Sequence, residues 1–393
     1  SSLDQIIREP IGSVAAARAF SRAASKTALH AVSSDALAVG VKRHNRGVLV
    51  PSSERTSLLN SCKTHLKIMQ IKKSILRVAL IAAFSATTLG LGVVGTAHAA
   101  APMVKTQAAG FHRMMLGDFE VTALSDGTVS LPIDKLLTDT TPAKIKKALD
   151  KNFVTAPLET SVNSYLINTG SKLVLIDTGA AKLFGPTLGN LLANLKAAGY
   201  QPEQVDEIYI THMHPDHVGG LMDGEKMAFP NAVVRADKSD ADFWLSQANL
   251  DKAPADSKGF FQGAMASLNP YVKAGKFSGF DGATDLVLGI KAIATRGHTA
   301  GHSTYVVESK GQKLVLWGDL IHVAAVQFDD PKVTIQFDTD HKMAAGARKK
   351  AFDDAVKGAY LVGASHIAFP GLGRVRANGK TYTWVPVNYT VPR

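Results

Sequence analysis

Short apolar runs and longer amphipathic segments alternate along the C-terminal three quarters of the chain. Eight runs of four to six residues have the length and residue types of β-strands: Phe119–Leu124, Ser164–Ile167, Leu173–Ile176, Glu207–Ile210, Ala232–Arg235, Ile290–Thr295, Thr304–Val307 and Leu314–Trp317. Apolar residues at helical spacing predict four helices among them: Thr141–Lys151, Leu188–Ala198, Asp237–Gln247 and Met343–Val356. This interleaving, together with a hairpin between two of the strands, predicts an α+β fold.

One turn indicates how the strands pair. Asn168-Thr169-Gly170 joins the runs Ser164–Ile167 and Leu173–Ile176 over a distance typical of a hairpin. We therefore expect mixed rather than purely parallel sheets. Residues 100–393 contain no Pro- or Ser-rich linker, and their length suits one large domain.

The segment 69–99 has the three-part pattern of a secretory signal peptide. Basic residues precede an apolar stretch that closes on Ala97-His98-Ala99. The alternative is a membrane-spanning helix, but polar residues and three glycines interrupt the apolar core, and no basic flank follows it. We expect cleavage after Ala99 or Ala100 and a periplasmic or secreted protein without a membrane partner.

Residues 1–68 precede the predicted signal peptide, where a signal peptide would normally begin the protein. They are rich in Ala, Ser and Arg and poor in acidic residues. We expect a disordered extension, without function, that does not belong to the natural product. The composition also fits a transit peptide, which would place two targeting signals in series.

Charge and cysteine content change when the leader is considered separately. Residues 1–99 contain 13 Lys and Arg but 4 Asp and Glu, so the remaining residues, with 31 basic and 29 acidic side chains, carry a net charge of +2. This balance does not indicate a nucleic-acid partner. Cys62 also lies in the leader. A metal site in the predicted domain must therefore be built from His and carboxylate ligands.

The strongest chemical motif is the segment 211–217, Thr-His-Met-His-Pro-Asp-His, which directly follows an apolar strand. In an extended chain His212 and His214 point the same way, so both can bind one metal ion. Pro215 turns the chain, and Asp216 and His217 then face a neighbouring position. These ligands suit zinc, iron or manganese. The alternative is a chance metal-binding tract.

The distribution of the other histidines disfavours that alternative. Of 13 His residues four lie in the leader, and most of the others follow predicted strands. His298 lies in an Arg-Gly-His-Thr-Ala-Gly-His segment after one strand, Asp319 follows Leu-Trp-Gly after another, and His366 follows the apolar run Tyr360–Val362. Loops at strand ends commonly carry function.

Together these motifs resemble the metallo-β-lactamase superfamily, with Asp177 after an early strand as a fifth element. The resemblance covers nearly all of residues 110–393 and implies an αββα sandwich of two mixed β-sheets flanked by helices. It also implies two divalent metal ions, with zinc expected and iron, manganese or cobalt as alternatives. The implied ligands are His212, His214 and His298 for one ion, Asp216, His217 and His366 for the other, and Asp319 between them.

The resemblance assigns supporting roles as well. Asp177 is expected to orient a ligand imidazole through its ring N–H; the alternative is a carboxylate that caps the turn at Thr178-Gly179. His302 is expected to make structural hydrogen bonds.

Two ions about 3.5–4 Å apart can share a water and lower its pKa to about 7. Asp216 and Asp319 would then act in catalysis with a bridging hydroxide, without a Ser or Cys nucleophile.

Within the superfamily, five segments carry a closer resemblance: Leu124-Ser125-Asp126-Gly127, Asp177-Thr178-Gly179-Ala180, Asp237–Asn249, Phe260-Phe261 and Pro386-Val387-Asn388-Tyr389. Through them the chain resembles methyl parathion hydrolase and related lactonases. Those enzymes hydrolyse organophosphate triesters such as methyl parathion, aryl esters and lactones, so a small-molecule ester is the expected substrate. The family resemblance alone is also compatible with a homodimer. We predict a substrate pocket formed by Phe184, Trp244 and Phe260; the alternative is that these rings belong to the core. His322, with Ile335 and Phe337 nearby, would favour a planar lactone or ester over a phosphotriester.

Two other functions compete with ester hydrolysis. A redox protein of the same fold would use iron at the ligand cluster, but no flavin-binding domain follows and the ligand set is complete for two metals. A metal-storage protein would need a closed ligand cage rather than open coordination positions. We therefore predict a hydrolase.

Overall fold

The computed structural model describes residues 101–391. The predicted extension (1–68) and signal peptide (69–99) lie outside the described residues. Within residues 101–391, no helix combines the length and the apolar character that a membrane crossing requires.

The described chain contains eighteen strands and nine α-helices, numbered here in chain order. The strands are β1 (Phe111–Leu116), β2 (Phe119–Leu131), β3 (Leu137–Thr138), β4 (Leu158–Asn168), β5 (Leu173–Ile176), β6 (Glu207–Tyr209), β7 (Met222–Asp223), β8 (Lys226–Met227), β9 (Val233–Asp237), β10 (Phe277–Phe280), β11 (Thr284–Val287), β12 (Ile290–Ala294), β13 (Ser303–Ser309), β14 (Gln312–Leu316), β15 (Thr334–Ile335), β16 (Leu361–Gly363), β17 (Leu372–Asn378) and β18 (Thr381–Pro386). The helices are α1 (Ile133–Leu136), α2 (Pro142–Lys151), α3 (Leu191–Ala197), α4 (Pro215–Val218), α5 (Lys238–Trp244), α6 (Gln247–Lys252), α7 (Lys258–Lys273), α8 (Ala324–Gln327) and α9 (His341–Gly358).

Two seven-stranded sheets form the centre of the fold. The first has the order β1-β2-β4-β5-β6-β9-β10 and the second β11-β12-β13-β14-β16-β17-β18. In the first sheet β5, β6, β9 and β10 pair in parallel and the other pairs are antiparallel. In the second, the β14–β16 pair alone is parallel among the pairs described. Both sheets are mixed, as predicted.

Alternating side chains on each strand build the layers between and outside the sheets. Tyr165 and Ile167 of β4 face the second sheet, whose Tyr305 and Val307 lie in the same apolar cluster. Leu166 points the other way, into the cluster formed with α3 and α7. On the far side of the second sheet, apolar residues pack against α9. The result is the predicted αββα sandwich.

The strand directions bring five loops to one edge of the sandwich. In the first sheet β5 and β6 are parallel. In the second, β12 and β14 are both antiparallel to β13, so they run in the same direction as β16. Asp177, the 211–217 motif, His298, Asp319 and His366 all follow these strands.

The eight predicted strands and four predicted helices agree with the structure to within a few residues, except that two of the strands were predicted too short. The long helix α7 and several shorter elements were not predicted. The strand β4 begins six residues earlier than its apolar run because its antiparallel pairing with β2 continues to Leu158. Its polar residues have partners there: Asn163 donates to the carbonyls of Ala364 and Ile367. The strand β2 similarly continues to Leu131.

The helix α7 was missed because Gly and Pro obscure its pattern. Gly263 is needed where α7 packs on the metal-binding motif, since a Cβ there would lie 2.8 Å from Cγ of Pro215. Pro270 lies inside the same helix, where it normally disfavours helical structure. The predicted helix Asp237–Gln247 ends at Trp244, and a second helix, α6, follows it.

Candidate metal centre

The segment 211–217 is held in shape from both sides. The amide of Thr211 donates to Asp177 Oδ1 (2.8 Å), and the amide of Met213 donates to Asp240 Oδ2 (2.9 Å). Met213 is buried in the apolar layer beneath the first sheet, so His212 and His214 lie on the opposite side of the chain. Pro215 then begins α4, which is a favoured position for proline.

Seven side chains form two clusters that share Asp319. One contains His212, His214, His298 and Asp319; the other contains Asp216, His217, His366 and Asp319. In each cluster the potential ligand atoms lie within 4.8 Å of one another. Thus the structure brings together all seven residues that the sequence predicts as metal ligands.

Short distances between ligand atoms show how tightly the clusters converge. His298 Nε2 lies 3.2 Å from His212 Nε2 and 3.1 Å from His214 Nδ1. Asp319 Oδ1 lies 3.2 Å from His217 Nε2, and its Oδ2 lies 3.1 Å from His366 Nε2. In the other cluster, the Oδ2 of Asp319 lies 3.4 Å from His298 Nε2. The carboxylate of Asp319 therefore reaches both clusters.

Unsatisfied buried atoms test whether this donor set fits metal ions. His217 Nε2 and Asp319 Oδ1 are buried and have no hydrogen-bond partner among the described residues. Leaving such groups unpaired is costly, and a cation between them would satisfy both. Imidazole nitrogens and carboxylate oxygens are also suitable ligands for divalent ions such as zinc. The residues present therefore fit two metal ions.

The second nitrogen of several rings is fixed by an oxygen. His217 Nδ1 lies 2.8 Å from Asp177 Oδ2, and His298 Nδ1 lies 2.8 Å from Asp338 Oδ1. His366 Nδ1 lies 2.9 Å from the carbonyl of Ser161. Such partners set the ring orientation and leave the other nitrogen available to a metal.

Asp177 combines this ring contact with a backbone role. Its Oδ2 also accepts from the Thr211 hydroxyl (2.8 Å), and its φ of 58° lies in the left-handed region that is uncommon for residues other than glycine. The side chain therefore bonds to the motif and to His217 instead of capping the turn at Thr178-Gly179.

His302 supports Asp319 and does not belong to either cluster. Its Nε2 accepts from the amide of Asp319 (3.1 Å), while Nδ1 lies 2.9 Å from the Thr295 hydroxyl. Gly318 adopts φ 56°, and a Cβ there would lie 2.9 Å from His302 Nε2. Burial lowers the pKa of His302 to about 3, so the ring stays neutral and can accept this bond.

The two carboxylates and two of the imidazoles are held in the forms that bind metal. Burial holds the pKa of His212 and His214 well below the usual range, so both rings are neutral. For Asp319 burial opposes ionisation, but the neighbouring charges of His217 and His366 outweigh it and hold the pKa well below its usual range. Neutral imidazole and ionised carboxylate are the forms required for coordination. Burial disfavours the charged form of the three other rings, but neighbouring carboxylates outweigh it and raise the pKa of His217, His298 and His366. These rings would therefore release a proton on metal binding.

Comparison with known proteins now identifies the family. The sequence profile of the Metallo-beta-lactamase superfamily matches residues 158–366, which is more than half of the chain. The chain belongs to this superfamily.

Relatives in the superfamily indicate its activity. The chain is 38% identical to the hydrolase AbOPH of the beta lactamase superfamily, with a TM-score of 0.69, and the match covers 73% of this chain and 100% of that one. AidC, a dizinc quorum-quenching lactonase solved with a product, is 28% identical with a TM-score of 0.67, over 72% of this chain and 99% of AidC. An N-acyl homoserine lactonase from Bacillus cereus is 24% identical over 47% of this chain and 74% of its own length. The protein is a lactonase-like, metal-dependent hydrolase of this superfamily.

An aromatic cavity of about 400 Å³ lies beside the two clusters of potential metal ligands. The ring of His214 forms part of its wall and meets Trp244 and Phe260 edge-on, with centroid distances of 5.1 and 4.9 Å. Other rings on the wall come from α5, α7 and the segment after β15: Phe243, Phe261 and Phe337. Two of the three predicted pocket residues therefore line one cavity next to a predicted ligand.

Phe184 does not join that cavity. It packs against Val162, Ala180 and Leu188 on another part of the first sheet. The prediction that it lies with Trp244 and Phe260 is wrong: Phe184 is not part of the wall that those two rings share, and its apolar partners come from β4 and the loop after β5. Ile335 is fully buried in a separate apolar cluster and is not part of the cavity wall either.

His322 lies with the metal ligands and not on the cavity wall. Its Nε2 is 3.2 Å from Asp319 Oδ2, and its ring stacks on that of His366 at 5.4 Å with an interplanar angle of 17°. The side chain is buried, and neither ring nitrogen has a hydrogen-bond partner among the described residues.

Sequence reasoning missed two supporting carboxylates. Asp240 accepts from the amides of Met213 and Gly301 and so ties together two metal-binding loops. Asp338 bonds to the ring of His298. Both lie near a helix N-terminus, where Asp commonly acts as a cap; the sequence offers no signal that separates these roles.

Proposed function

We propose that the protein is a binuclear, zinc-dependent hydrolase of small neutral carboxyl esters and lactones. The observation that carries this proposal is that the two ligand clusters share Asp319. One of the clusters also borders the aromatic cavity, because its His214 forms part of the cavity wall. The similarity to N-acyl homoserine lactonases and to the dizinc lactonase AidC supports both the reaction class and the metal.

The side chains of the centre have separate tasks in this proposal. Two divalent ions held by the clusters would polarise the ester carbonyl and lower the pKa of a water to about 7. Asp216 and Asp319 hold negative charge at the centre, and Asp177 fixes the ring of His217. Neither ring nitrogen of His322 has a hydrogen-bond partner among the described residues, and Nε2 lies 3.2 Å from Asp319 Oδ2. In this proposal the nitrogen that carries the proton donates a hydrogen bond to an ester oxygen. No side-chain nucleophile is required.

The cavity accounts for the apolar part of the substrate. Five aromatic side chains line it, and such walls bury flat apolar groups well. Trp244 Nε1 is buried without a partner among the described residues, so a ligand acceptor would satisfy it where the ring turns its N–H towards the cavity. Asn249 and Lys252 also lie on the wall and supply polar groups.

Lactones and carboxyl esters are proposed ahead of phosphotriesters because of His322. A buried imidazole beside Asp319 provides a directional donor for a planar ester, whereas an apolar side chain would suit a bulky phosphotriester better. We expect kcat/KM for dihydrocoumarin to exceed that for methyl parathion when both are measured on one preparation of known metal content. A clearly higher value for methyl parathion would reverse the proposed order.

Metal analysis separates hydrolysis from iron-dependent redox chemistry. We expect about two zinc ions per chain after purification, together with ester hydrolysis and no oxygen uptake. Iron as the dominant metal, with oxygen consumed and esters left intact, would favour the redox alternative.

We also propose that the protein acts in the periplasm or outside the cell. The pattern of residues 69–99 supports this location. N-terminal sequencing of the protein recovered outside the cytoplasm should give a start near Ala100 or Ala101; recovery only in the cytoplasm with residues 69–99 retained would contradict it.

A further inference from the structure

The segment between β15 and α9 grips the loop that carries His298. Asp338 Oδ1 lies 2.8 Å from His298 Nδ1. The amide and hydroxyl of Thr339 both donate to the carbonyl of His298, each at 2.9 Å, and the amide of Asp340 donates to the carbonyl of Gly297 at 2.8 Å. This segment therefore holds both the ring and the backbone of a predicted ligand.

A buried arginine stands behind Asp338. The side chain of Arg348, on α9, is fully buried, and its Nη2 lies 3.7 Å from Asp338 Oδ2. Its Nε donates to the carbonyl of Leu320 (2.6 Å) and its Nη1 to the carbonyl of Val333 (2.7 Å). A buried charge normally requires such pairing. Arg348 thus links the residue after Asp319 to the segment that holds His298.

The contact to the ring separates this arrangement from a merely structural ion pair. A carboxylate at Nδ1 keeps the proton there and leaves the Nε2 lone pair facing His212, His214 and Asp319. The corresponding nitrogen of His212 meets the uncharged Thr211 hydroxyl at 3.1 Å. Among the described residues, Asp338 is therefore the charged group that orients a ring in the cluster of His212, His214, His298 and Asp319.

We propose that Asp338, supported by Arg348, is a positioning residue that sets the affinity of the cluster His212, His214, His298 and Asp319 for its metal ion. The inference rests on the proposed binuclear site, but it concerns one of the two ions. Partners of this kind typically contribute a factor of about 10–100 to metal affinity.

The direct test is zinc titration of the metal-free full chain against a competing chelator. Asp338→Ala should weaken one of two binding steps by roughly 10–100-fold and leave the other step unchanged. Asp338→Asn should recover part of the loss, because its amide oxygen can still accept from Nδ1–H. The matched control is Asp340→Ala, which removes the cap of α9 two residues away, where the side chain accepts from the amide of Met343. It should destabilise the fold without changing either step.

Nuclear magnetic resonance of the histidine ring protons gives a readout that is independent of activity. The Nδ1–H of His298 should resonate at low field in the wild type, move upfield in Asp338→Asn and disappear by exchange in Asp338→Ala. If Asp338→Ala does not fold, the shift and the several-fold loss expected for Asp338→Asn still test the inference.

The outcomes distinguish this inference from the proposed function. A wild-type chain that binds fewer than two ions would remove the binuclear site itself. Two ions in the wild type with both steps unchanged in Asp338→Ala, or with equal losses in Asp338→Ala and Asp340→Ala, would overturn the role of Asp338 alone.

Discussion

The metal centre and the aromatic cavity share the ring of His214 but are held together in different ways. Around the centre, carboxylates, hydroxyls and carbonyls fix ligand rings at 2.8–3.1 Å. Around the cavity, rings from α5 and α7 contact one another, and Trp244 Nε1 lacks a partner among the described residues. The hydrogen bonds therefore fix the positions of the ligand rings, whereas substitution of an aromatic side chain can change the shape of the cavity.

This difference separates the chemistry from the choice of substrate. A change at the centre should affect every substrate alike, because the same ligands serve each reaction. A change in the cavity should alter the ranking of substrates while the metal content stays constant. The following predictions test that separation.

Removal of Asp319 should have the largest effect. Asp319→Ala takes away the carboxylate that both clusters share, and metal ions supply several kcal/mol of transition-state stabilisation. We expect kcat/KM to fall by roughly 10³-fold for all substrates, with fewer than two metal ions retained. Steady-state kinetics with metal analysis measures both, and Asp285→Ala, at an exposed position of β11, is the control. Unchanged hydrolysis would contradict the shared role.

Removal of Asp177 should affect the second cluster. Asp177→Ala frees the ring of His217 and removes two acceptors from Thr211. We expect the affinity for one ion to fall by about 10–100-fold, as chelator competition would show. Comparison with Asp338→Ala sharpens the picture: if both variants weaken the same binding step, the two clusters do not act as separate sites.

Acid should destabilise the centre through His302. Its pKa of about 3 in the folded protein lies below the ordinary 6.5, mainly because of burial. Between these values the unfolded chain binds a proton that the folded chain does not, so stability is fully present above pH 6.5 and falls as the pH falls towards 3. The loss is about 1.4 kcal/mol per pH unit.

His302→Gln removes this ionisation and retains an acceptor for the amide of Asp319. Urea unfolding of the metal-free protein at pH 7.5 and 5.5 should therefore show a smaller acid-induced loss in the variant than in the wild type. Equal losses of unfolding free energy in the variant and the wild type would show that His302 does not cause the acid destabilisation.

The metal centre and the cavity also differ in how far the sequence predicts them. The convergence of the predicted ligands could be anticipated because several His and Asp residues that follow successive strands rarely serve packing or solubility alone. Asp338 could not, since an Asp ahead of a helix is usually a cap, and Asp340 beside it is one.

The cavity was harder to predict because its wall depends on tertiary packing. Nothing in the residue pattern shows that Phe184 packs against Val162 and Ala180 while Phe260 reaches His214. The helix α7, which contributes Phe260, contains glycines and a proline that hide its periodicity. The two sheets, in contrast, follow from apolar alternation that the structure confirms.

The smallest expected effect is at Trp244. Trp244→Phe keeps an aromatic ring on the cavity wall but removes the indole N–H. If a substrate acceptor pairs with that N–H, KM should rise about fivefold, as expected for one hydrogen bond of about 1 kcal/mol, while kcat and metal content stay constant. The comparison requires two esters that differ only in an acceptor on the apolar group. A rise for both esters would show that ring shape alone matters, and a fall in metal content would show that the cavity and the centre are not separate after all.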